Sequence, residues 1–294
     1  MIQPRRAMSL AELDEIGKPL ITAEGYKAGM QIQLRPTDVV ITPYGKSGTT
    51  WTQQIVHTLR TRGDMDFDDI SRVVPWIETS TDLGIDLNAE QKANPRAFKS
   101  HLDYEQIPKG GRYINVMREP GDVAVSGFKF QEGWFLEPGS VSIDEYVLDG
   151  FVHKRNYFKH LKSWWAQRNQ PDVLFLCYET MLSEPAETIR RIAQFIEIEL
   201  DPELLQIALD HTSIDFMLAH KDRFDDALLR ARSEAVCNIP PGSDSAKVRA
   251  GKSGSSHELS DESRTAIAQA WQEEISAPLG FTDYAAMQNA LANE

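Results

Sequence analysis

The chain has 294 residues, of which 41% are hydrophobic and 26% charged, which suffices for one large domain or two small ones with a buried core. Its net charge of −13 argues against a broad surface for nucleic acid or anionic membranes, so an anionic ligand would need a local basic cluster. Two cysteines, the absence of a secretory signal pattern and the absence of a membrane-spanning run predict a cytoplasmic protein.

The strongest local signal is the loop that follows the first predicted strand, residues 39–42. It reads Pro-Tyr-Gly-Lys-Ser-Gly-Thr-Thr and leads into a helix whose apolar positions recur every four residues at Trp51, Ile55 and Leu59. Glycines allow several backbone amides to converge on one point, a helix N-terminus adds partial positive charge, and Lys46 adds a full charge. The segment therefore predicts a phosphate-binding site of the kind used for nucleotides.

The loop matches the P-loop pattern of nucleoside triphosphatases only in part. Gly45, Lys46 and Ser47 fit its second half, but Val40 stands where the first glycine would be. A magnesium-dependent enzyme would also need an acidic residue at the end of a neighbouring strand, whereas predicted strand 113–117 ends in Arg118. Arginine suits a direct, metal-free contact with phosphate, and a kinase or NTPase that uses Mg-ATP remains the alternative.

A histidine follows the second predicted strand, residues 97–99. Because the carboxyl ends of parallel strands meet at one edge of a sheet, His101 is expected near the phosphate loop. A neutral imidazole can accept a proton near neutral pH, so His101 is a candidate general base. Lys99 precedes it by two residues and points to the same face.

The rest of the chain alternates between predicted helices and strands. The segment after Arg118 begins a helix at Pro120 and Asp122, and longer helical patterns cover 144–167, 185–196 and 261–275. A further apolar strand is predicted at 173–178. This order indicates an α/β fold with a parallel β-sheet flanked by helices. Residues 238–256 are rich in Gly, Pro and Ser and are expected to form a mobile lid loop.

Together, segments 44–51 and 118–126 resemble the sulfotransferase family, particularly its cytosolic branch. The resemblance extends over residues 35–255 through shorter motifs at 74–78, 99–102, 178–181 and 211–213. It implies the P-loop-like sulfotransferase fold and a single domain over 1–294 that ends in a helical segment, 261–294. It also implies a donor, 3′-phosphoadenosine 5′-phosphosulfate (PAPS), and a nucleotide product, adenosine 3′,5′-bisphosphate, without a metal.

The resemblance assigns the two ends of the donor to different segments. The residues implied to bind the 5′-phosphosulfate end or the adenine beside it are Lys46, Ser47, Gly48, Thr49, Thr50 and Trp51. Later segments are implied to bind the 3′-phosphate or the other side of the adenine. Their residues are Arg118, Ser126, Tyr178, Thr212, Arg249 and Gly251. The family usually shows Arg-Lys-Gly in the lid, but Ala250 stands at the lysine position, and Lys252 is the candidate to replace that charge.

The same resemblance implies the chemistry. His101 would be the general base, Lys46 would stabilise charge on the leaving phosphate, and Lys99 would steady the transferring sulfuryl group. Trp76, Phe128 and Phe130 match positions that line the acceptor pocket in relatives, with Trp134 and Phe135 as further candidates. An aromatic pocket favours a phenol or a lipid-like alcohol, and an amine is also open as the acceptor.

Two departures from the family pattern bear on that pocket. Gly127 stands where relatives often have an aromatic residue and Gly45 where they have proline, and both would widen or reshape the pocket.

The C-terminal dimer motif of relatives is not visible, which leaves the oligomeric state open. A sulfonucleotide-binding protein without turnover is a third interpretation, although such a protein would need neither His101 nor Lys99.

Overall fold

A parallel sheet of four strands organises residues 3–245, 247–249 and 251–293, which are the residues described in the computed structural model. The strands are β1 (Val39–Ile41), β2 (Ala97–Lys99), β3 (Arg112–Met117) and β4 (Val173–Cys177), in the spatial order β2-β1-β3-β4. All three pairings are parallel. The predicted α/β fold with a parallel sheet is confirmed, and each predicted strand agrees with the structure to within one residue.

Both faces of the sheet are covered, which explains why the strands read as continuous apolar runs. Val39 and Ile41 of β1 face one hydrophobic cluster, whereas Val40 between them faces another. The first cluster contains residues of the helix that follows β1, and the second contains residues of the helix that follows β3. The sheet is thus fixed in position between two helical layers, and its carboxyl edge is free to carry the loops.

Helices fill the connections between the strands and extend beyond the sheet at both ends. The α-helices in the described part of the chain are α1 (Leu10–Ile16), α2 (Ala23–Gly29), α3 (Thr49–Thr61), α4 (Ile70–Val73), α5 (Pro120–Trp134), α6 (Ile143–Glu145), α7 (Asn156–Trp165), α8 (Tyr178–Ser183), α9 (Pro185–Phe195), α10 (Pro202–His211), α11 (Ile214–Ala219), α12 (Ala227–Val236), α13 (Asp261–Trp271), α14 (Ala277–Leu279) and α15 (Tyr284–Ala292). None of the helices within these described residues is long and apolar enough to cross a membrane.

The helix predicted over 144–167 is wrong as a continuous element. It is divided into α6, a π-helical segment (Tyr146–Val152) and α7, with Arg155 in the left-handed conformation at φ 58° between the last two. The helical spacing of buried apolar residues continues across this interruption, because Val147 and Phe151 before it and Phe158 after it are all buried. The pattern therefore could not reveal an irregularity that keeps the apolar side chains on the same face.

The same correction applies near the C-terminus, where the helix predicted over 261–275 changes to a π-helical segment (Gln272–Ser276) after α13. The predicted lid loop 238–256 lacks α-helix and strand among its described residues, and a short 3₁₀ turn (Ser255–Glu258) overlaps its end. Ala246 and Ala250 of that loop lie outside the described residues.

The N-terminal segment is attached to the end of α5. Ala7 forms a parallel bridge with Leu136: its amide donates to the carbonyl of Phe135 at 2.8 Å, and its carbonyl accepts from the amide of Glu137 at 2.9 Å. These bonds place α1 beside the loops at the carboxyl edge of the sheet. Residues of α1 thereby become part of the wall of a cavity at this edge.

Candidate active site

A cavity of about 1040 Å³ opens at the carboxyl edge of the sheet, where ligands of α/β proteins bind. It brings together predicted site residues that are distant in the sequence. The predicted residues in its wall are Lys46, Gly48, Thr49, Thr50, Trp51, Trp76, Lys99, His101, Arg118, Ser126, Phe130, Tyr178, Thr212, Arg249 and Gly251. The candidates Trp134 and Phe135 also line it.

Two predicted site residues lie outside this wall. Ser47, in the loop between β1 and α3, is fully buried. Phe128 is buried with its ring 5.7 Å from that of Tyr146, and its predicted place in the pocket wall is not what the structure shows. The reason is helical phase: the wall residues of α5, such as Ser126, Phe130 and Trp134, recur on one face, and position 128 lies off that stripe.

The loop between β1 and α3 has the backbone of an anion-binding turn. Lys46 (φ 68°) and Gly48 (φ 94°) both adopt left-handed conformations, and Gly48 precedes α3 without a side-chain cap. A Cβ at position 48 would lie 2.9 Å from the ring of Tyr178, so both the conformation and the space require glycine. The first amides of this 13-residue helix are therefore available to an anion.

Several polar atoms around this loop are buried without a hydrogen-bond partner. They are the Ser47 and Thr49 hydroxyl oxygens, Trp51 Nε1 and Arg118 Nε. An unpaired buried donor costs about 1–3 kcal/mol, so such groups are normally paired in a folded protein. These atoms lie along one loop and on the neighbouring arginine. Their arrangement fits a ligand that carries several phosphate-type oxygens.

Arg118 connects the loop after β1 to the start of α5. It is 7% exposed, its Nη1 donates to the carbonyl of Lys46 at 2.9 Å, and its guanidinium lies 4.4 Å from the ring centre of Tyr178. Asp122 contributes a more distant ion pair at 3.6 Å. Arg118 is thus held rigidly at the cavity wall while its Nε remains without a partner.

The tautomer of His101 follows from its contacts. Nδ1 lies 2.8 Å from the carbonyl oxygen of Pro43, and since a carbonyl can only accept, Nδ1 carries the proton and donates it. Nε2 is then the unprotonated nitrogen. The backbone amide of His101 donates to Glu78 Oε1 at 2.8 Å, and the Trp76 ring lies 5.2 Å from the imidazole. Burial, reinforced by the charge of Lys99, lowers the pKa of His101 to about 3, so the ring is neutral.

Two lysines in the wall have depressed pKa values for the same reason. Burial lowers the pKa of Lys46 to about 7 and that of Lys99 to about 8. Each ammonium lies over an aromatic face: Lys46 Nζ is 4.4 Å from the ring centre of Phe130, and Lys99 Nζ is 4.6 Å from that of Trp76. An anion entering the cavity would favour the charged form of both lysines.

One side of the cavity has an apolar wall that includes the N-terminal helix. Besides the aromatic residues already named, this wall contains Leu10, Leu13, Leu20, Tyr146, Phe151 and Leu229. Asp14 and Lys154 also line the cavity and form an ion pair at 2.7 Å. At Gly127, where the sequence predicts a wider or reshaped pocket, the hydroxyl of Tyr146 lies 2.8 Å from the point where a Cβ would be, so the glycine leaves room for this tyrosine in the cavity wall.

Sequence reasoning missed several residues of this wall. Asp226 and Lys247 belong to no recognised motif, and only the fold of the loops around them brings them to β2. The leucines of α1 gave a weak signal, since Leu10 and Leu13 share one face of a short amphipathic stretch. Nothing in the local pattern linked that stretch to the cavity.

Comparison with known proteins gives consistent matches. A family model described as a sulfotransferase domain matches residues 36–276. Sulfotransferase 1B1 of Canis lupus familiaris is 34% identical over 218 residues, which are 68% of this chain and 73% of the relative. Sulfotransferase 1E1 of Homo sapiens is 32% identical over 198 residues, which are 63% of this chain and 67% of the relative.

Solved structures show the same fold at lower sequence identity. Retinol dehydratase in complex with androsterone and the inactive cofactor PAP superposes with a TM-score of 0.65 at 20% identity, covering 93% of this chain and 98% of that chain. Mouse sulfotransferase SULT7A1 complexed with PAP superposes with a TM-score of 0.64 at 18% identity, covering 93% of this chain and 94% of that chain.

Proposed function

Since the chain belongs to the sulfotransferase family and is a PAPS-dependent sulfotransferase, we propose that it sulfates a hydroxyl or amine of a small apolar acceptor with His101 as general base. The observation that carries the proposal is the cavity itself. It joins the uncapped N-terminus of α3, the half-buried Lys46, the buried Lys99 and the unprotonated Nε2 of His101 in one wall.

The donor would be held by the two segments singled out in the sequence. Ser47, Gly48, Thr49 and Thr50 would bind the 5′-phosphate through amides and hydroxyls, and Arg118 with Ser126 would bind the 3′-phosphate. The unpartnered hydroxyl of Thr49 and the unpartnered Nε of Arg118, both in the cavity wall, support this fit. When bound, the donor supplies a sulfuryl group activated by its anhydride bond to phosphate.

The adenine would lie between aromatic and hydroxyl-bearing residues of the cavity. The rings of Trp51 and Tyr178 lie 5.8 Å apart in an edge arrangement, and Thr212 is in the same wall. Arg249 and Gly251 would close this end from the loop. Gly251 has φ 56°, and a Cβ there would lie 2.9 Å from the side chain of Ile214, so glycine allows the loop to approach α11 closely.

The proton of the acceptor would pass to Nε2 of His101. The bond from Nδ1 to Pro43 fixes the tautomer that makes Nε2 the acceptor, and the backbone contact with Glu78 fixes the position of the residue. Lys46 would stabilise the charge that develops on the leaving phosphate, and Lys99 would steady the sulfuryl group. An anionic donor in the cavity would raise the pKa of His101 above its low value and so strengthen it as a base.

The acceptor would occupy the apolar side of the cavity. Trp76 contacts His101, Phe130 contacts Lys46, and both rings belong to the hydrophobic cluster that includes Leu13 of α1, so an apolar body extending from the reacting hydroxyl would contact these residues. This wall supports a phenol or a lipid-like alcohol as the acceptor class.

A transfer assay tests the proposal. Purified protein is incubated with PAPS labelled in the sulfuryl group and a panel of phenols, steroid-like alcohols, fatty alcohols and sugars. We expect labelled product with apolar hydroxyl compounds and none with sugars. Binding of PAPS without transfer to any acceptor would support a non-catalytic sulfonucleotide-binding protein instead. Thermal stabilisation by Mg-ATP but not by adenosine 3′,5′-bisphosphate would support a kinase or NTPase.

A further inference from the structure

We propose that Lys247, held by Asp226, is a further donor-binding residue and contacts the phosphosulfate end of PAPS. This inference rests on the proposed function and adds to it a cation that neither motif contains. It concerns the part of the cavity wall where the end of β2, the start of α12 and the loop before Arg249 meet.

Asp226 lies between two lysines at this point of the wall. It precedes α12 in a left-handed conformation (φ 48°), which aspartate tolerates better than most residues, and it is 2% exposed. Its Oδ2 forms an ion pair with Nζ of Lys247, and its Oδ1 lies 3.7 Å from Nζ of Lys99. Through this one carboxylate, Lys247 is therefore held beside Lys99, the last residue of β2.

The electrostatic neighbours of Lys247 place it near the reacting end of the cavity. Its charge depresses the pKa of Lys46 more than the charge of Arg249 or Arg118 does, and it also depresses the pKa of Lys99 and His101. Coulomb interactions weaken with distance. Lys247 therefore lies close to Lys46, Lys99 and His101, at the end of the cavity where the phosphosulfate is expected.

The local charge balance favours an anion at this position. Lys46, Lys99 and Lys247 act on Asp226, and Asp69 also acts on Lys99, so within this cluster three potential cations face two carboxylates. The side chains of Lys99, Lys247 and Asp226 are 1%, 11% and 2% exposed, and buried like charges are unfavourable unless they are compensated. The negative charges of a phosphosulfate would provide that compensation.

The loop that carries Lys247 departs from the family pattern three residues further on. The pattern has a lysine directly after the arginine of the lid, and Ala250 stands there in this chain. Lys252, which the sequence alone favours as the replacement, is exposed, whereas Lys247 lies in the cavity wall two residues before Arg249.

The test measures binding without any acceptor, so it does not depend on turnover. Isothermal titration compares PAPS, adenosine 5′-phosphosulfate and adenosine 3′,5′-bisphosphate on the unmodified protein, Lys247→Gln and Lys247→Arg. Loss of a charge-assisted contact should weaken both sulfate-bearing ligands by about tenfold to hundredfold in Lys247→Gln. The bisphosphate should change by less than about threefold, and Lys247→Arg should restore most of the affinity.

Lys252→Gln is the matched control, since it removes the same charge from an exposed position of the same loop. It should leave all three affinities unchanged, with melting temperatures confirming that every variant is folded. Unchanged binding in Lys247→Gln, equal losses for all three ligands, or a loss confined to Lys252→Gln would each overturn the inference. Failure of the unmodified protein to bind PAPS would instead overturn the proposed function.

Discussion

At the scale of single residues, one contact of His101 decides which ring nitrogen can accept a proton. The strand and the following histidine were readable in the sequence, and so was the candidate role. The bond from Nδ1 to Pro43 was not, because it joins the ends of two strands that meet only through the register of β1 with β2. Sequence reasoning could thus propose a base but could not specify the atom.

The first prediction concerns this base. His101→Ala should lower kcat for sulfuryl transfer by about 10²–10⁴-fold, the range typical of a lost general base. Affinity for adenosine 3′,5′-bisphosphate should stay within a few-fold, because the neutral imidazole adds no charge to the nucleotide site. Steady-state kinetics and isothermal titration measure the two quantities. Turnover close to that of the unmodified enzyme would show that another group takes the proton.

The second prediction uses the depressed pKa of Lys46. Burial holds it at about 7 in the free protein, and a bound anion raises it, so the nucleotide binds together with a proton. Affinity for adenosine 3′,5′-bisphosphate should therefore fall as the pH rises from 7 to 9, by at most about tenfold per pH unit. Isothermal titration at several pH values measures this slope.

Lys46→Arg is the control, because arginine keeps its charge throughout this pH range. The variant should show a shallower dependence on pH, with Lys99, whose pKa is lowered to about 8, contributing what remains. An equal slope in both proteins would mean that the titration of Lys46 is not coupled to binding.

At the scale of elements, Asp122 has a different role from the one that its sequence position suggests. The sequence places it at the start of α5, but the residue that caps this helix is Glu119, which accepts from the amides of Gly121 and Asp122. The carboxylate of Asp122 accepts from the amides of Gly254 and Ser256 at 2.7 and 2.8 Å. It therefore ties the end of the 238–256 loop to the helix that follows Arg118.

The third prediction follows from this tie. Asp122→Ala should weaken PAPS binding by about tenfold, because Arg249 and Gly251 belong to the loop that the carboxylate anchors and two hydrogen bonds to a charged acceptor are lost. Limited proteolysis should also cleave the loop faster. Asp144→Ala is the control, since Asp144 accepts from Ser260 and Ser263 at the start of α13 and not from the loop. Equal effects in the two variants would contradict a specific role for Asp122.

The interrupted helix at 144–167 shows where element prediction reaches its limit. A pattern of apolar positions indicates which side of a helix faces the core. The same side faces the core before, within and after the π-helical segment, including the residues past Arg155. Such a pattern does not distinguish α-helical from π-helical hydrogen bonding of the backbone. The consequence is local but functional, because Tyr146 and Phe151 of the irregular segment line the cavity.

At the scale of the whole molecule, the sheet was predictable and one wall of the cavity was not. Short apolar runs between helical patterns were enough to indicate parallel strands, since both faces of such a sheet are covered. The contribution of α1 depends on the bridge from Ala7 to Leu136, which joins residues 129 positions apart. No periodicity in a single sequence encodes a contact of that kind, so the apolar side of the cavity became visible only in the structure.

The last prediction concerns the stability of the whole fold in acid. Burial lowers the pKa of His57 to about 4 and those of His101 and His160 to about 3, whereas an unfolded chain has histidine pKa values near 6.5. Below pH 6.5 the unfolded state therefore binds more protons than the folded state. The free energy of unfolding should be maximal above pH 6.5 and should fall as the pH drops towards 4, by up to about 1.4 kcal/mol per pH unit for each histidine.

Urea unfolding at pH 7.5, 6.5 and 5.5 measures this loss above the range in which most carboxylates titrate. His57→Gln tests the cause, because His57 lies outside the cavity wall and its replacement removes one of the three titrations. The variant is expected to be less stable at pH 7.5, since the contact of Nε2 with the carbonyl of Asp64 is lost, yet to lose less stability between pH 7.5 and 5.5. A free energy of unfolding that is constant over this range would mean that the three imidazoles are accessible to protons in the folded state.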